Sequence, residues 1–248
     1  MTSHAATAPT EHKLPHGLGL PIRRVYVWDL VVRLTHWLIV LSIAVLSVTG
    51  YYLAAPFVNV PGQAGDHFFM GWVKIVHFYG SIVFTLAVLT RVVWMFIGNR
   101  YARWTELVPT TQERRRGLWE TLRFYLFARD DPPPSVGHNP AAGVTYVAIF
   151  GLYFVMIITG LALYSTSAHV GSPMRIFGFL VPLLGGLQTA RWIHHVVMWL
   201  LLGFMVQHVY SAWLMSRVEG NATLESILTG YKLIPVDESK EEERGDDD

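Results

Sequence analysis

ARWIHHVVMWLLLGFMVQHVY, residues 190–210, is the stretch that decides how the whole chain is read. It has the length of a bilayer-crossing helix, about 20 residues. It contains no acid and, after Arg191, no base, yet it holds three histidines: His194, His195 and His208. Ionisable side chains inside a membrane segment are costly and mark function by default. Two questions follow: what these imidazoles hold, and which of the adjacent two matters.

The rest of the chain fits the same environment. Of 248 residues, 52% are hydrophobic and only 15% charged, well below the roughly 25% charge of soluble domains. Charges gather at the ends and in one central loop. Between them lie four apolar stretches, Leu34–Ala55, Ile75–Ile97, Val144–Ser165 and Trp192–Ser216, each long enough to cross about 30 Å of hydrocarbon as a helix. The expected fold class is an all-α integral membrane protein, a four-transmembrane-helix bundle. The expected organisation is a polar N-terminal tail (1–24), a membrane domain (25–232) and an acidic C-terminal tail (233–248). The N-terminal segment has no apolar core and does not read as a cleavable signal peptide.

Lys and Arg in short loops set the orientation. Arg23, Arg24 and Arg33 precede the first span, and Arg100, Arg103, Arg114, Arg115, Arg116, Arg123 and Arg129 follow the second; the connection 56–71 has none. Both termini are therefore expected on the cytoplasmic side, with 56–71 and 166–190 outside. The middle of WETLRFYLFARDDPPPSVGHNP (119–140) is expected to form a short interfacial helix ended by the proline run. MRIFGFLVPLLGGL (174–187) is too short and too broken by Gly and Pro to span, and is expected to lie at the interface. The tail DESKEEERGDDD reads as a solvated, disordered run. Asn221-Ala222-Thr223 matches a glycosylation acceptor but falls on the inside face, which discounts it. No internal repeat was found. The net charge of +1 gives no reason to expect nucleic acid as a partner; membrane lipid is the expected surrounding.

The histidines form a ladder. A helix turns about 100° and rises about 1.5 Å per residue. His194 and His208 are 14 positions apart, so they lie within ~40° of one face and ~21 Å apart along the axis. His195 falls about 140° from His208. Of the adjacent two, only His194 shares the face. His36 sits at the inner start of span one and His77 at the outer start of span two. Depth then pairs His77 with His194 outside and His36 with His208 inside. Two pairs of imidazoles, each bridging two helices at two levels of one bundle, form a geometry for two bis-histidine haems, with the four histidines as axial metal ligands.

Two residues keep the same 14-residue register. Gly50 follows His36, and its missing side chain is read either as clearance for a macrocycle at the outer haem or as ordinary helix packing. Arg91 follows His77, and is read either as a partner for haem propionates at the inner level or as a base snorkelling to the interface. His195 is assigned packing or a supporting hydrogen bond. His4, His12, His16, His67 and His169 fall in solvated tails or loops; so does His138, the one of these worth watching.

Other histidine chemistries fit less well. HExxH is absent, as are the clustered histidines of a membrane di-iron site, and the four stretches contain no Asp or Glu for proton-coupled transport. With no cysteine, thioether-attached haem and thiolate iron–sulfur ligation within the chain are excluded. Two axial imidazoles fill both open positions of the iron, which points to electron transfer rather than catalysis at the haem.

At VYVWDLVVRLTHW (25–37) with TGYYL (49–53), MGWVKIVHF (70–78) with IGNRYAR (97–103), YLFARDDPPPSVGHNP (125–140), and IHHVVMW (193–199) with QHVY (207–210), the chain resembles the b-type cytochrome subunits of membrane-bound nickel–iron hydrogenases. The resemblance runs from about Val25 to Tyr231. It belongs to a wider superfamily that includes the cytochrome b subunits of formate dehydrogenase and thiosulfate reductase. The GHNP, MGW and GN-x-YAR strings favour hydrogenase. Ile193 departs from the Trp that often precedes the paired histidines, which bears on packing at the outer haem and leaves the ligands intact.

The resemblance implies the same four haem ligands and two non-covalent haems b. It also implies partners: a hydrogenase small subunit with iron–sulfur clusters and a large subunit with the nickel–iron site. The chain would then pass electrons from a periplasm-facing enzyme to quinone in the bacterial cytoplasmic (inner) membrane, and would itself carry no hydrogen-activating site. The quinone region expected at the inner end includes Arg33, Arg91, Gln207, Tyr210 and Arg217. The alternatives are a free-standing cytochrome b561-like quinol oxidoreductase and the cytochrome b subunit of another dehydrogenase, such as formate dehydrogenase.

Overall fold

The computed structural model describes residues 22–57, 68–126, 128, 140–219 and 222–235. Most of the loop 56–71 with His67, the proline run with His138, Asn221, and residues 1–21, with His4, His12 and His16, and 236–248 lie outside the described residues. In chain order the elements are β1 (Ile22–Tyr26), α1 (Leu30–Ala54), α2 (Phe69–Ile97), a 3-10 turn (Arg100–Ala102), α3 (Trp104–Leu107), α4 (Gln112–Tyr125), α5 (Pro140–Ser167), a second 3-10 segment (Pro173–Phe179), α6 (Leu180–Leu183), α7 (Leu187–Glu219), α8 (Thr223–Thr229) and β2 (Tyr231–Pro235).

Among the described residues, four helices are long and apolar enough to cross a membrane: α1, α2, α5 and α7. Each extends beyond the apolar stretch that announced it, because a helix does not stop where hydrocarbon ends. Interfacial Trp, Tyr, Lys and His residues continue the backbone hydrogen-bond ladder into the headgroup region. Local chemistry sets the ends. α1 stops at Ala55, whose extended backbone (φ −142°, ψ 83°) is what the following Pro56 imposes. α5 starts on Pro140, where a missing N–H costs nothing.

The spans run up and down. α1 packs along α2, α5 along α7, and the two hairpins meet between α2 and α5. One apolar core takes residues from all four: Ile39, Phe84, Ala87, Val88, Ile149, Phe150, Tyr153, Val197 and Leu201. Phe84 meets Tyr153 edge-on at 5.3 Å, and Phe78 stacks on Tyr164 at 4.5 Å, near the opposite end of α5 from Tyr146. Large apolar side chains such as Leu41, Val48, Leu86, Phe96, Trp199 and Val206 face outward around the bundle. An apolar belt of that extent is stable only against lipid.

The end of the bundle near Ile22 and Pro235, called the inner end after the expected orientation, carries a clasp that the all-α reading missed. β1 and β2 pair antiparallel, Ile22 opposite Pro235 through Tyr26 opposite Tyr231. The ribbon crosses both expected boundaries, at 24/25 and 232/233, so the tails as drawn cut through strands. Val27 and Trp28 donate backbone N–H bonds to Gly230 O (2.8 and 3.1 Å), and Trp28 Nε1 donates to Ser226 Oγ (2.9 Å). Gly230 is required there: its φ is +88°, and a Cβ would stand 2.6 Å from the Tyr26 ring and 2.9 Å from Trp28 O. Asp29, at the start of α1, does not cap its own helix. It accepts from Trp94 Nε1 (3.0 Å), Asn99 N (3.1 Å) and Asn99 Nδ2 (3.0 Å), tying α1 to the end of α2. The WDL and GN-x-YAR strings thus carry a structural joint. The middle of 119–140, where a short interfacial helix was expected, lies largely outside the described residues; α4 covers only its first seven residues and starts earlier, where Thr111 caps it by accepting from Arg114 N. The segment 174–187 forms the second 3-10 piece and α6 and does not span.

Candidate functional site

α7 is an unbroken α-helix from 187 to 219, so the arithmetic that placed His194 and His208 on one face applies to it. At the inner level, His36 of α1 and His208 of α7 face each other with ring centres 6.3 Å apart and planes inclined by 53°. A metal held by two opposed imidazoles, at about 2 Å per metal–nitrogen bond, separates the ring centres by roughly 6 Å. Aromatic neighbours frame this pair: Trp37 meets His36 edge-on at 5.2 Å, and Phe204, one turn before His208, stacks on it at 5.4 Å. His36 Nδ1 is buried without a hydrogen-bond partner. An orphaned polar nitrogen in a bundle costs about 1–3 kcal/mol, a cost removed when a group from outside the chain engages the ring.

The other two candidates, expected at the outer level, are His77 of α2 and His194 of α7. Each Nδ1 sits 2.8 Å from a threonine hydroxyl, Thr49 of α1 for His77 and Thr159 of α5 for His194. His195 instead places Nδ1 2.8 Å from Arg191 O, one turn back on its own helix.

Gly50 lies beside the outer pair. Its absent Cβ would stand 3.2 Å from His77 Cε1, so the glycine makes room for an imidazole directly. Arg91 does not snorkel: it is 3% exposed, bonds Ala102 O through Nη1 (3.4 Å) and lies over the Tyr146 ring at 5.2 Å. Its Nη2 has no hydrogen-bond partner. The other inner-end candidates are engaged locally. Arg33 bonds Leu228 O, Gln207 donates to Ser211 Oγ (2.6 Å), and Arg217 lies over the Trp213 ring, which Tyr210 also approaches.

Thr49, Thr159, Gly160, Trp37 and Phe204 were not anticipated. The repeated β-branched–Thr–Gly step, VTG at 48–50 and ITG at 158–160, was the available signal. Neutral nitrogen donors from opposed helices, an apolar wall and a buried guanidinium suit a haem. Its iron would take imidazole nitrogens, and its carboxylates would take the cation.

Comparisons with known proteins give the family. A model of the prokaryotic cytochrome b561 family matches residues 27–230, and the chain belongs to that family: it is a multi-pass membrane cytochrome of the haem b class. It is similar to the probable Ni/Fe-hydrogenase B-type cytochrome subunit of Azotobacter chroococcum, 37% identical over 86% of this chain and 90% of that one. It is also similar to the probable Ni/Fe-hydrogenase 1 B-type cytochrome subunit of Escherichia coli K12, 36% identical over 84% and 90%. The corresponding subunit of Cupriavidus necator is 36% identical over 86% of this chain and 89% of its own.

Proposed function

We propose that the chain is the dihaem membrane subunit of a nickel–iron hydrogenase, and that it carries electrons from the periplasmic side to the quinone pool of the bacterial inner membrane. The observation that carries this reading is the facing of His36 and His208 from two spans at the separation a shared metal requires. The relatives' names support a Ni/Fe-hydrogenase as the partner, and its iron–sulfur small subunit and nickel–iron large subunit are the proposed neighbours. When bound, haem would supply reversible one-electron capacity.

The chain's own residues hold and insulate. His77 and His194 would hold the outer haem, and His36 and His208 the inner. Arg91, buried with Nη2 unpartnered, offers a cation to a propionate. Gly50 lets the His77 ring close on α1. The basic residues around α3 and α4 keep that end, and with it both termini, on the cytoplasmic side. Quinone is then met at the inner end, in the region of Arg33, Arg91, Gln207, Tyr210 and Arg217.

The test uses the hydrogenase–cytochrome complex purified from membranes. Haem should be found at two per chain, and His36→Ala or His208→Ala should abolish hydrogen-dependent quinone reduction. Hydrogen-dependent reduction of a soluble dye should persist in those variants, since a dye draws electrons before the membrane. Quinone reduction at the parental rate without the inner haem would overturn the direction of transfer.

A further inference from the structure

The two outer histidines share an arrangement that ligand spacing alone does not require. On α1, Thr49 Oγ1 lies 2.8 Å from Val45 O and 3.3 Å from Leu46 O, and 2.8 Å from His77 Nδ1. On α5, Thr159 Oγ1 lies 2.7 Å from Val155 O and 3.2 Å from Met156 O, and 2.8 Å from His194 Nδ1. A hydroxyl has one proton. In both helices that proton goes to the carbonyls of the preceding turn, which can only accept. Toward the imidazole the oxygen is therefore an acceptor, so the nitrogen facing it must carry a hydrogen. On that assignment of the hydroxyl proton each ring is the Nδ1–H tautomer, with its lone pair on Nε2.

A glycine follows each threonine. A Cβ at Gly50 would stand 3.2 Å from His77 Cε1, and one at Gly160 would stand 3.6 Å from His194 Cε1. The first helix of each hairpin thus presents a Thr–Gly step that receives the histidine of the second. The inner level is built differently. Thr35, next to His36, directs its hydroxyl to Val31 O and Val32 O (2.7 and 3.1 Å), and His36 Nδ1 is without a partner.

We propose that Thr49 and Thr159 are positioning residues for one haem site, each fixing the tautomer and ring plane of its histidine so that Nε2 of His77 and Nε2 of His194 serve the same iron. This rests on the reading of His77 and His194 as axial ligands. A hydrogen bond from Nδ1–H makes an imidazole a stronger donor to its metal, which favours ferric over ferrous iron. The paired threonines therefore hold the outer potential below that of the same ligands unsupported.

The test compares Thr49→Val, Thr159→Val, Thr49→Ser and Thr159→Ser in the purified complex. Thr85→Val serves as control, a threonine that donates to its own helix at Ser81 O. The readouts are the two low-spin ferric resonances, a redox titration of each haem, and haem content beside His77→Ala and His194→Ala. Each valine variant should displace the same one of the two resonances and raise that haem's midpoint potential. Serine should restore both values, and the control should move neither. A valine variant that loses a haem supports the proposal when the missing resonance is the one lost in His77→Ala, and overturns it when it is the other.

Unmoved resonances and potentials in both valine variants, different resonances moved by the two, or serine behaving as valine would each overturn it. If His77→Ala and His194→Ala keep both haems, the ligand reading itself fails. If they lose one while the valine variants leave spectrum and potential unchanged, only the positioning role fails.

Discussion

Gly50→Ala and Gly160→Ala form a matched pair that isolates the contact between a glycine and an imidazole. Both replace a helical glycine, and both gain up to about 1 kcal/mol in helix propensity. They differ in what the new methyl meets. At 160 it stands 3.6 Å from His194 Cε1, an ordinary contact; at 50 it stands 3.2 Å from His77 Cε1, inside the roughly 3.5–4.0 Å that carbon pairs prefer. His77 has to give by a few tenths of an ångström, and its ring is held to Thr49, on the same turn, at 2.8 Å. Overpacking of this kind costs about 1–3 kcal/mol, which exceeds the propensity gain by on the order of 1 kcal/mol. The outer haem should accordingly be held about five- to tenfold less tightly in Gly50→Ala, and Gly160→Ala should match or slightly exceed the parent. Soret absorbance followed through a chaotrope titration of the purified complex gives both values. Equal haem retention in the two variants, or weaker retention in Gly160→Ala, would refute the steric argument.

Acid–acetone should extract all haem from the chain, since no cysteine is present to tether it; haem remaining with the protein would contradict non-covalent binding. His194→Ala should remove the outer haem while His195→Ala, whose ring bonds its own helix at Arg191 O, keeps two; pyridine haemochrome content decides, and the reverse result would displace His194 as ligand. Gly230→Ala places a Cβ against the Tyr26 ring and Trp28 O at a φ of +88°, so it should destabilise the clasp by about 1–3 kcal/mol. Faster proteolysis near residue 230 in inverted membrane vesicles would show this, and parental resistance would count against the ribbon.

What was legible in the sequence was whatever repeats at helical spacing within one span. The four apolar stretches announced α1, α2, α5 and α7, and the 14-residue interval between His194 and His208 separated one adjacent histidine from the other. Gly50 was legible as a position but not as a partner of His77, because the side chain that needs the space comes from another helix. The threonines were silent for a different reason. A threonine in a membrane helix ordinarily bonds its own carbonyls, so nothing in VTG or ITG distinguishes a hydroxyl that also receives an imidazole. The ribbon was illegible because IRRVY and YKLIP are short, lack strict alternation, and sit where charge suggested solvated tails. Arg91 had two readings on position alone, and its burial in the bundle argues only against the snorkelling one.

In the proposed arrangement both ligand pairs take one histidine from α7, His194 for one and His208 for the other. The chain is made from its N-terminus, so three spans enter the membrane before either pair has a second member. At roughly 5–20 residues per second, His77 waits on the order of ten seconds for His194, and His36 waits longer for His208. The strand that closes the clasp, β2, is made after α7. Haem delivery is thereby confined to the final stage of synthesis, and a chain truncated before α7 presents two single histidines on an open hairpin rather than half of a finished cytochrome.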